Sequence, residues 1–371
     1  MHTAEQCSVR EDTMAEAIDD LAERVMGAAL GWYEMLTVLL GWRLGCYDRL
    51  AKGACTAGEL AAAAAITPRY AAEWLEQQAG AGLVTVVQPG ERDTRRYGLD
   101  GAQRAVLTEP GSATSLLPLI MQGAAMAETL TQVENAFRAG TGVSYADYGA
   151  DMRRGIELEN RPLFLDSLAA WVAAVPGLDA RLRRPGCRAA DVGCGAGWSA
   201  IALARAYPEL RLDGFDLDER SIATARGNVE ATGLSERVTV QVRDARDPGL
   251  AGRYELVCVF ETLHDMSDPV AALAACRSLV ADDGVVLIAD MAADDEFAAP
   301  ADELQRFLYA FSVLHCLPVG IADASKPAES AATGALLRPR ALRELAAAAT
   351  FGSAEPIDIP HDKWRFWVLQ P

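Results

Sequence analysis

Positive charge is scarce in this chain: 34 Lys and Arg stand against 52 Asp and Glu, a formal net charge of −18. Binding a polyanion rests on cationic side chains that neutralise phosphates, so nucleic acid is not expected as a partner. The eight cysteines contain no C-x-x-C pair and the four histidines no metal-ligand spacing, so no metal is expected and the thiols are expected as reduced core residues. Met1–Gln6 lacks a basic stretch running into an apolar one, as a secretory leader would require. The longest apolar stretch, Met26 to Trp42, is broken by Glu34 and rich in glycine, which argues against a membrane span. A cytoplasmic location without membrane contact is the expectation. With 371 residues, 51% of them apolar, the chain is long enough for two domains with substantial cores.

What is present is a glycine turn in an informative place. Asp191-Val192-Gly193-Cys194-Gly195-Ala196-Gly197-Trp198-Ser199 lies between strand-like Arg188-Ala189-Ala190 and the apolar helical run Ala200–Tyr207. Glycine suits such a turn because the backbone must bend at positive φ and let a ligand approach where a Cβ would collide, while the free N–H groups of the next helix face that ligand. A phosphate loop would place Lys-Ser/Thr after its last glycine, and a dinucleotide loop would read G-x-G-x-x-G. Here the order is G-x-G-x-G behind an acid, which favours a nucleoside without a phosphate chain.

The following strands agree. Leu210–Asp216 ends in a carboxylate 25 residues beyond Asp191 (216 − 191), where doubly wound sheets grip ribose hydroxyls. Val238–Arg243 runs into Asp244-Ala245, and Tyr254–Phe260 into Glu261-Thr262-Leu263-His264-Asp265. Asp191-x-Gly-x-Gly-x-Gly, Asp216 and Asp244-Ala245, in this order, resemble the class I S-adenosylmethionine-dependent methyltransferases over residues 186 to 290. A Rossmann-like domain for another nucleotide is the alternative. The resemblance implies an α/β, Rossmann-like seven-stranded domain with S-adenosylmethionine as cofactor, held by Asp191, Gly193, Gly195, Gly197, Asp216, Leu217, Asp244, Ala245, Phe260 and Glu261.

The N-terminal third reads as a winged helix. Thr56 and Glu59 have capping-box spacing, Ile66-Thr67-Pro68 turns into a helix from Arg69 to Ala79, and Gly82–Val87 and Arg96–Leu99 flank a Pro89-Gly90 turn. Residues 1 to 108 nevertheless carry ten Lys and Arg against fifteen Asp and Glu, a net of −5, so this surface would be repelled by phosphate. Before it, Asp12 to Leu50 has apolar residues at helical spacing with Gly27 and Gly31 interrupting, and two helices are expected. In many small-molecule O-methyltransferases such a helix pair packs against a second subunit. The resemblance therefore implies a homodimer, although intrachain packing fits the same stripe.

Three parts follow: a helical winged-helix domain for dimerisation and lid formation (1–108), a helical connector contributing to the substrate pocket (109–180), and the Rossmann-like methyltransferase domain (181–371), with a lid insertion at about 291–338. In the connector, Tyr148, Glu157, Asn160 and Arg161 are candidate pocket residues. In the insertion, Glu303 to Cys316 reads as a helix stopped by Pro318-Val319-Gly320, with Tyr309, Ser312 and Cys316 on one face and His315 near its end. Each could equally be a cap or core residue. In the related O-methyltransferases a His-Asp pair after the fourth strand supplies the base, which implies that role for His264. An imidazole with pKa about 6.5 is suited to it. The expected activity is O-methylation of a small, aromatic or polyketide-like metabolite. Transfer to nitrogen, sulfur or carbon, a non-methylating enzyme on this fold and a small-molecule sensor remain open.

Overall fold

The computed structural model describes residues 2–109, 111–247, 253–322, 324 and 327–371, with side chains from residue 14 on. The chain divides into two compact units, Met1–Met121 and Gln122–Pro371.

The first unit opens with a single helix, His2–Arg43, where two were expected. Gly27 and Gly31 do not interrupt it; each costs a helix only about 1 kcal/mol relative to Ala, and the surrounding turns carry the ladder through. Its Met14–Arg43 portion is long and apolar enough to cross a membrane by length and composition, a longer apolar element than the sequence reading allowed. Met14, Ile18, Leu21 and Val25, each about 60% exposed, recur at i, i+4, i+7 and i+11 and form one stripe. Helices Ala57–Ala64 and Pro68–Gly80 follow, then strands β1 (Thr85–Gln88) and β2 (Arg96–Gly98), which pair antiparallel. The capping box is present: Thr56 Oγ1 accepts from Glu59 N, and Glu59 Oε2 from Thr56 N. Trp74 packs under Gly41, where a Cβ would sit 2.1 Å from the indole, and its Nε1 donates to Thr37 O.

The second unit is built on seven strands: β3 (Arg188–Val192), β4 (Arg211–Asp216), β5 (Val238–Val242), β6 (Tyr254–Phe260), β7 (Val280–Met291), β8 (Ser353–Ile357) and β9 (Trp364–Gln370). Their spatial order is β5-β4-β3-β6-β7-β9-β8. The pairs from β5 to β7 are parallel, and β9 is antiparallel to both β7 and β8. The inner strands are mostly apolar in their central residues because helices cover both faces. Successive residues alternate between the two layers: Leu256 and Cys258 join one core with Ala189 and Leu287, Val257 and Val259 the other with Ala190 and Val286. β3 has neighbours reached by crossovers in opposite directions, so a crevice opens beyond its carboxyl end.

The insertion after β7 departs from expectation. Glu303–Phe311 is α-helical, Ser312–Cys316 widens into a π turn, and Leu317–Ala322 continues as α-helix through Pro318. Proline removes the N–H that would bond four residues back. The orphaned carbonyl of Leu314 instead accepts from the Tyr148 hydroxyl at 2.6 Å. Within the expected lid, residues 323, 325 and 326 lie outside the described residues.

Candidate active site

The glycine turn leaves β3 with Gly193, Gly195 and Gly197 all at positive φ (76°, 50° and 81°). Gly193 is constrained twice, since an added Cβ would also lie 2.5 Å from the Thr262 side chain. Gly197 caps helix Trp198–Ala206, whose N-terminus therefore points at the crevice. Asp191, 1% exposed, accepts from Ser199 Oγ; burial pushes its pKa up to about 7. Asp216 at the end of β4 accepts from Gly195 N (2.8 Å) and Asp218 N (2.9 Å). Burial raises its pKa against these N–H groups, and a carboxylate with about four acceptor positions keeps capacity for further donors.

Gly193, Gly195 and Asp216 border one cavity of about 860 Å³, within the range of small-ligand sites. Gly193, Gly195, Asp216, Leu217, Asp244, Ala245, Phe260 and Glu261 all line it. Asp191 and Gly197 stand behind the wall, one holding Ser199 and the other starting the helix. Asp244 is engaged by Arg246, which donates through Nη2 to Oδ2 (2.7 Å) and through Nε to Oδ1 (2.9 Å), and this ion pair lowers its pKa. Glu261 adopts φ 54°, a conformation that costs a non-glycine residue about 1–3 kcal/mol and clusters at functional sites. Its carboxylate accepts from Asn160 Nδ2 (2.6 Å). Burial first, and the nearby Glu159 second, raise its pKa to about 7.

Of the expected substrate residues, Glu157 and Asn160 border this cavity. Arg161 lies over the Trp198 ring, 4.3 Å from its centroid, and braces the wall from outside. Tyr148 serves the proline turn. Tyr309 Oη accepts from Arg338 and Ser312 Oγ accepts from Ala335 N, so both are local structural contacts. His315 is enclosed by Tyr148, Phe311 and Tyr145 at centroid distances of 4.6, 5.6 and 5.9 Å; burial lowers its pKa to about 4. The rest of that wall includes Tyr145, Arg153, Met266 and Val319. Glu157 is fixed by Trp198 Nε1 (3.0 Å), Asn228 Nδ2 (3.1 Å) and Arg154 Nη1 (2.7 Å). No spacing rule singles out Tyr145 or Arg153, whose position depends on how helix Gly149–Ala174 is docked.

His264 is 2% exposed. Its Nδ1 lies 2.6 Å from Asp290 Oδ1, and its Nε2 lies 3.3 Å from Asp265 Oδ1. Burial opposes charge on the ring, but the carboxylates of Asp290 and Asp265 outweigh it and hold the imidazole well above its ordinary value. Asp265 borders the cavity, whereas His264 is not among the residues that line it. Cys316 reaches the same place from the π turn, and the ligand-type atoms of His264, Asp265 and Cys316 all lie within 4.8 Å of one another. This convergence escaped the sequence reading because 51 residues separate Cys316 from Asp265 (316 − 265).

Comparison with known proteins accords with this architecture. Residues 183–328 match a family model described as a methyltransferase domain. A ubiquinone biosynthesis O-methyltransferase of Ralstonia nicotianae is 30% identical over 195 residues, covering 50% of this chain and 74% of that protein. The chain spans 58% to 64% of the length of other curated relatives with the same name. Among solved structures, the mitomycin 7-O-methyltransferase MmcR superposes with a TM-score of 0.71 at 18% identity, covering 95% of this chain and 99% of that one. Human N-acetylserotonin methyltransferase, in complex with SAM, gives 0.68 at 17% identity, covering 94% and 97%. With its glycine turn, its strand-end carboxylates and its sheet order, the chain belongs to the class I S-adenosylmethionine-dependent methyltransferases.

Proposed function

We propose that this protein transfers the methyl group of S-adenosylmethionine to a hydroxyl oxygen of a small, aromatic or polyketide-like metabolite. The observation that carries the reading is the convergence of Gly193, Gly195, Asp216 and Asp244 on one cavity at the carboxyl ends of β3, β4 and β5. In this reading Asp216 accepts from the ribose hydroxyls, Asp244 lies near the adenine amino group and the glycine turn lies beside the methionine part. The acceptor oxygen attacks the methyl carbon in line as the carbon–sulfur bond breaks, and the neutral thioether leaves. Holding three atoms in line supplies much of the acceleration. The hydroxyl proton goes to His264, whose Nδ1 is fixed by Asp290 and whose Nε2 is reached past Asp265. A nitrogen or sulfur acceptor would use the same donor cavity.

The reading also takes the protein as a cytoplasmic homodimer that binds neither DNA nor membrane. The exposed stripe from Met14 to Val25 would be covered by the same helix of a second copy. The acidic winged helix supports a scaffolding role, because its field opposes phosphate.

Calorimetric titration with S-adenosylhomocysteine, followed by transfer of a labelled methyl group to a panel of phenols, enols, thiols and amines, tests the proposal. Saturable binding and label on a hydroxyl compound are expected. Failure to bind would reject the donor assignment, and label on thiols or amines alone would reject the oxygen acceptor.

A further inference from the structure

Arg246 makes polar contacts in two directions. Toward the end of β5 it clamps Asp244: Nη2 donates to Oδ2 at 2.7 Å, Nε to Oδ1 at 2.9 Å and the backbone N to Oδ1 at 2.9 Å. In the other direction its Nη1 donates to Ser267 Oγ at 3.0 Å. Ser267 is 2% exposed and follows His264 by three residues (267 − 264). The side chains of Arg246 and Asp244 are 28% and 38% exposed, and an ion pair so exposed adds little to stability. Its geometry is the informative part, because a planar guanidinium fixes the groups along its edges relative to one another.

The two directions lead to the two halves of the reaction site. Asp244 lines the cavity where the donor's adenine is assigned. A carboxylate has about four acceptor positions; Arg246 takes two on Oδ1 and one on Oδ2, so one on Oδ2 is left for a further donor. Ser267 closes the turn that carries His264. Leu263–Asp265 is a 3₁₀ turn, Met266 N donates to Leu263 O at 3.2 Å and Ala331 N to Ser267 O at 2.8 Å, and Thr333 Oγ1 donates to His264 O at 2.8 Å. We propose that Arg246 is a positioning residue for both halves: it leaves Asp244 a single acceptor direction for the adenine amino group, and it anchors the His264 turn to the same guanidinium. The proposal rests on S-adenosylmethionine as the donor. An adenine amino group donates to a carboxylate held in this way, whereas hypoxanthine presents a carbonyl oxygen there and is repelled, so Arg246 sets the base specificity of the donor site.

The test needs no methyl acceptor. In calorimetry the full-length wild type should prefer S-adenosylhomocysteine to S-inosylhomocysteine by roughly 10- to 150-fold, the range of one hydrogen bond to a charged group. Arg246→Ala should weaken S-adenosylhomocysteine binding and bring that preference close to unity. Arg246→Lys keeps the charge without the fork and should restore only part of it. Saturating S-adenosylhomocysteine should also displace the His264 imidazole resonance of the wild type, identified by its loss in His264→Ala. Ser267→Ala cuts only the second contact, so affinity and preference should stay at wild-type values while the displacement of the resonance shrinks. Circular dichroism verifies that each variant is folded. An unchanged preference in folded Arg246→Ala, or a displacement of wild-type size in Ser267→Ala, would overturn the proposal while the donor assignment stands. Absence of S-adenosylhomocysteine binding by the folded wild type would reject the donor assignment itself, and the proposal with it.

Discussion

Asp290 Oδ1 approaches His264 Nδ1 to 2.6 Å with both side chains only 2% exposed, so the proton on that nitrogen is shared across a buried, charge-assisted contact. The ring's pKa is raised, and a raised histidine pKa stabilises the fold most when the ring is charged. That contribution is complete below the unfolded value of about 6.5 and is lost as pH rises through the folded value. If His264 is the base, methyl transfer should increase with pH through a midpoint well above 6.5. Asp290→Asn should move that midpoint down. His264→Ala should slow single-turnover transfer by about 10²- to 10⁴-fold with little change in donor affinity. A loss below about tenfold, or a limb unchanged in Asp290→Asn, would reduce His264 to a positioning residue.

Asp216→Ala should weaken S-adenosylhomocysteine binding. Hydrogen bonds to charged groups contribute about 1.5–3 kcal/mol, equivalent to roughly 10- to 150-fold in Kd. The substitution also strips the acceptor from Gly195 N and Asp218 N, so the glycine turn should loosen. Asp216→Asn keeps the shape of the side chain and should fall between wild type and Ala. Equal calorimetric affinity in all three proteins would contradict the ribose assignment.

Two glycines of the turn, Gly193 and Gly195, should differ in their tolerance of alanine although both line the cavity. Gly193→Ala meets the Thr262 side chain at 2.5 Å and forces alanine to φ 76°, whereas Gly195→Ala meets no heavy atom within 4 Å. Gly195→Ala should therefore cost only the left-handed backbone penalty, about 1–2 kcal/mol, and Gly193→Ala distinctly more. Chemical denaturation reads the difference, and equal losses would show that Thr262 yields freely.

How much was legible in the sequence follows from this contrast. The turn, Asp216 and the strand ends are local, because each is fixed by residues adjacent in the chain, and they were found. On the acceptor side Glu157 and Asn160 were expected and line the cavity, but Tyr148, Arg161, Tyr309, Ser312 and His315 do not, because that wall depends on where helix Gly149–Ala174 and the insertion dock. Tyr148 looked like a pocket phenol but satisfies the Leu314 carbonyl that Pro318 leaves free. Pro318 looked like a helix stop, but a π turn and that hydroxyl let the helix pass. Tyr148→Phe should accordingly lower stability by about 1–3 kcal/mol, the cost of an unsatisfied buried acceptor, without changing S-adenosylhomocysteine affinity. A weakened donor site in the folded variant would return Tyr148 to the pocket.

The N-terminal helix offers the test of assembly. Leu21 and Val25 are 60% and 61% exposed and lie one turn apart on the stripe, so a second copy of the helix would bury both. Burying apolar surface contributes about 25 cal/mol per Å², and placing a carboxylate in such an interface carries a penalty of several kcal/mol unless it is paired. Leu21→Glu combined with Val25→Glu should therefore convert a dimer to a monomer in light scattering while leaving the helix content and S-adenosylhomocysteine affinity unchanged. The same protein should show no retention of random duplex DNA at low salt, as its net charge of −18 requires. Wild-type protein that scatters as a monomer, or that floats with lipid vesicles through this helix, would overturn the dimer assignment, and the second result would make Met14–Arg43 a membrane element.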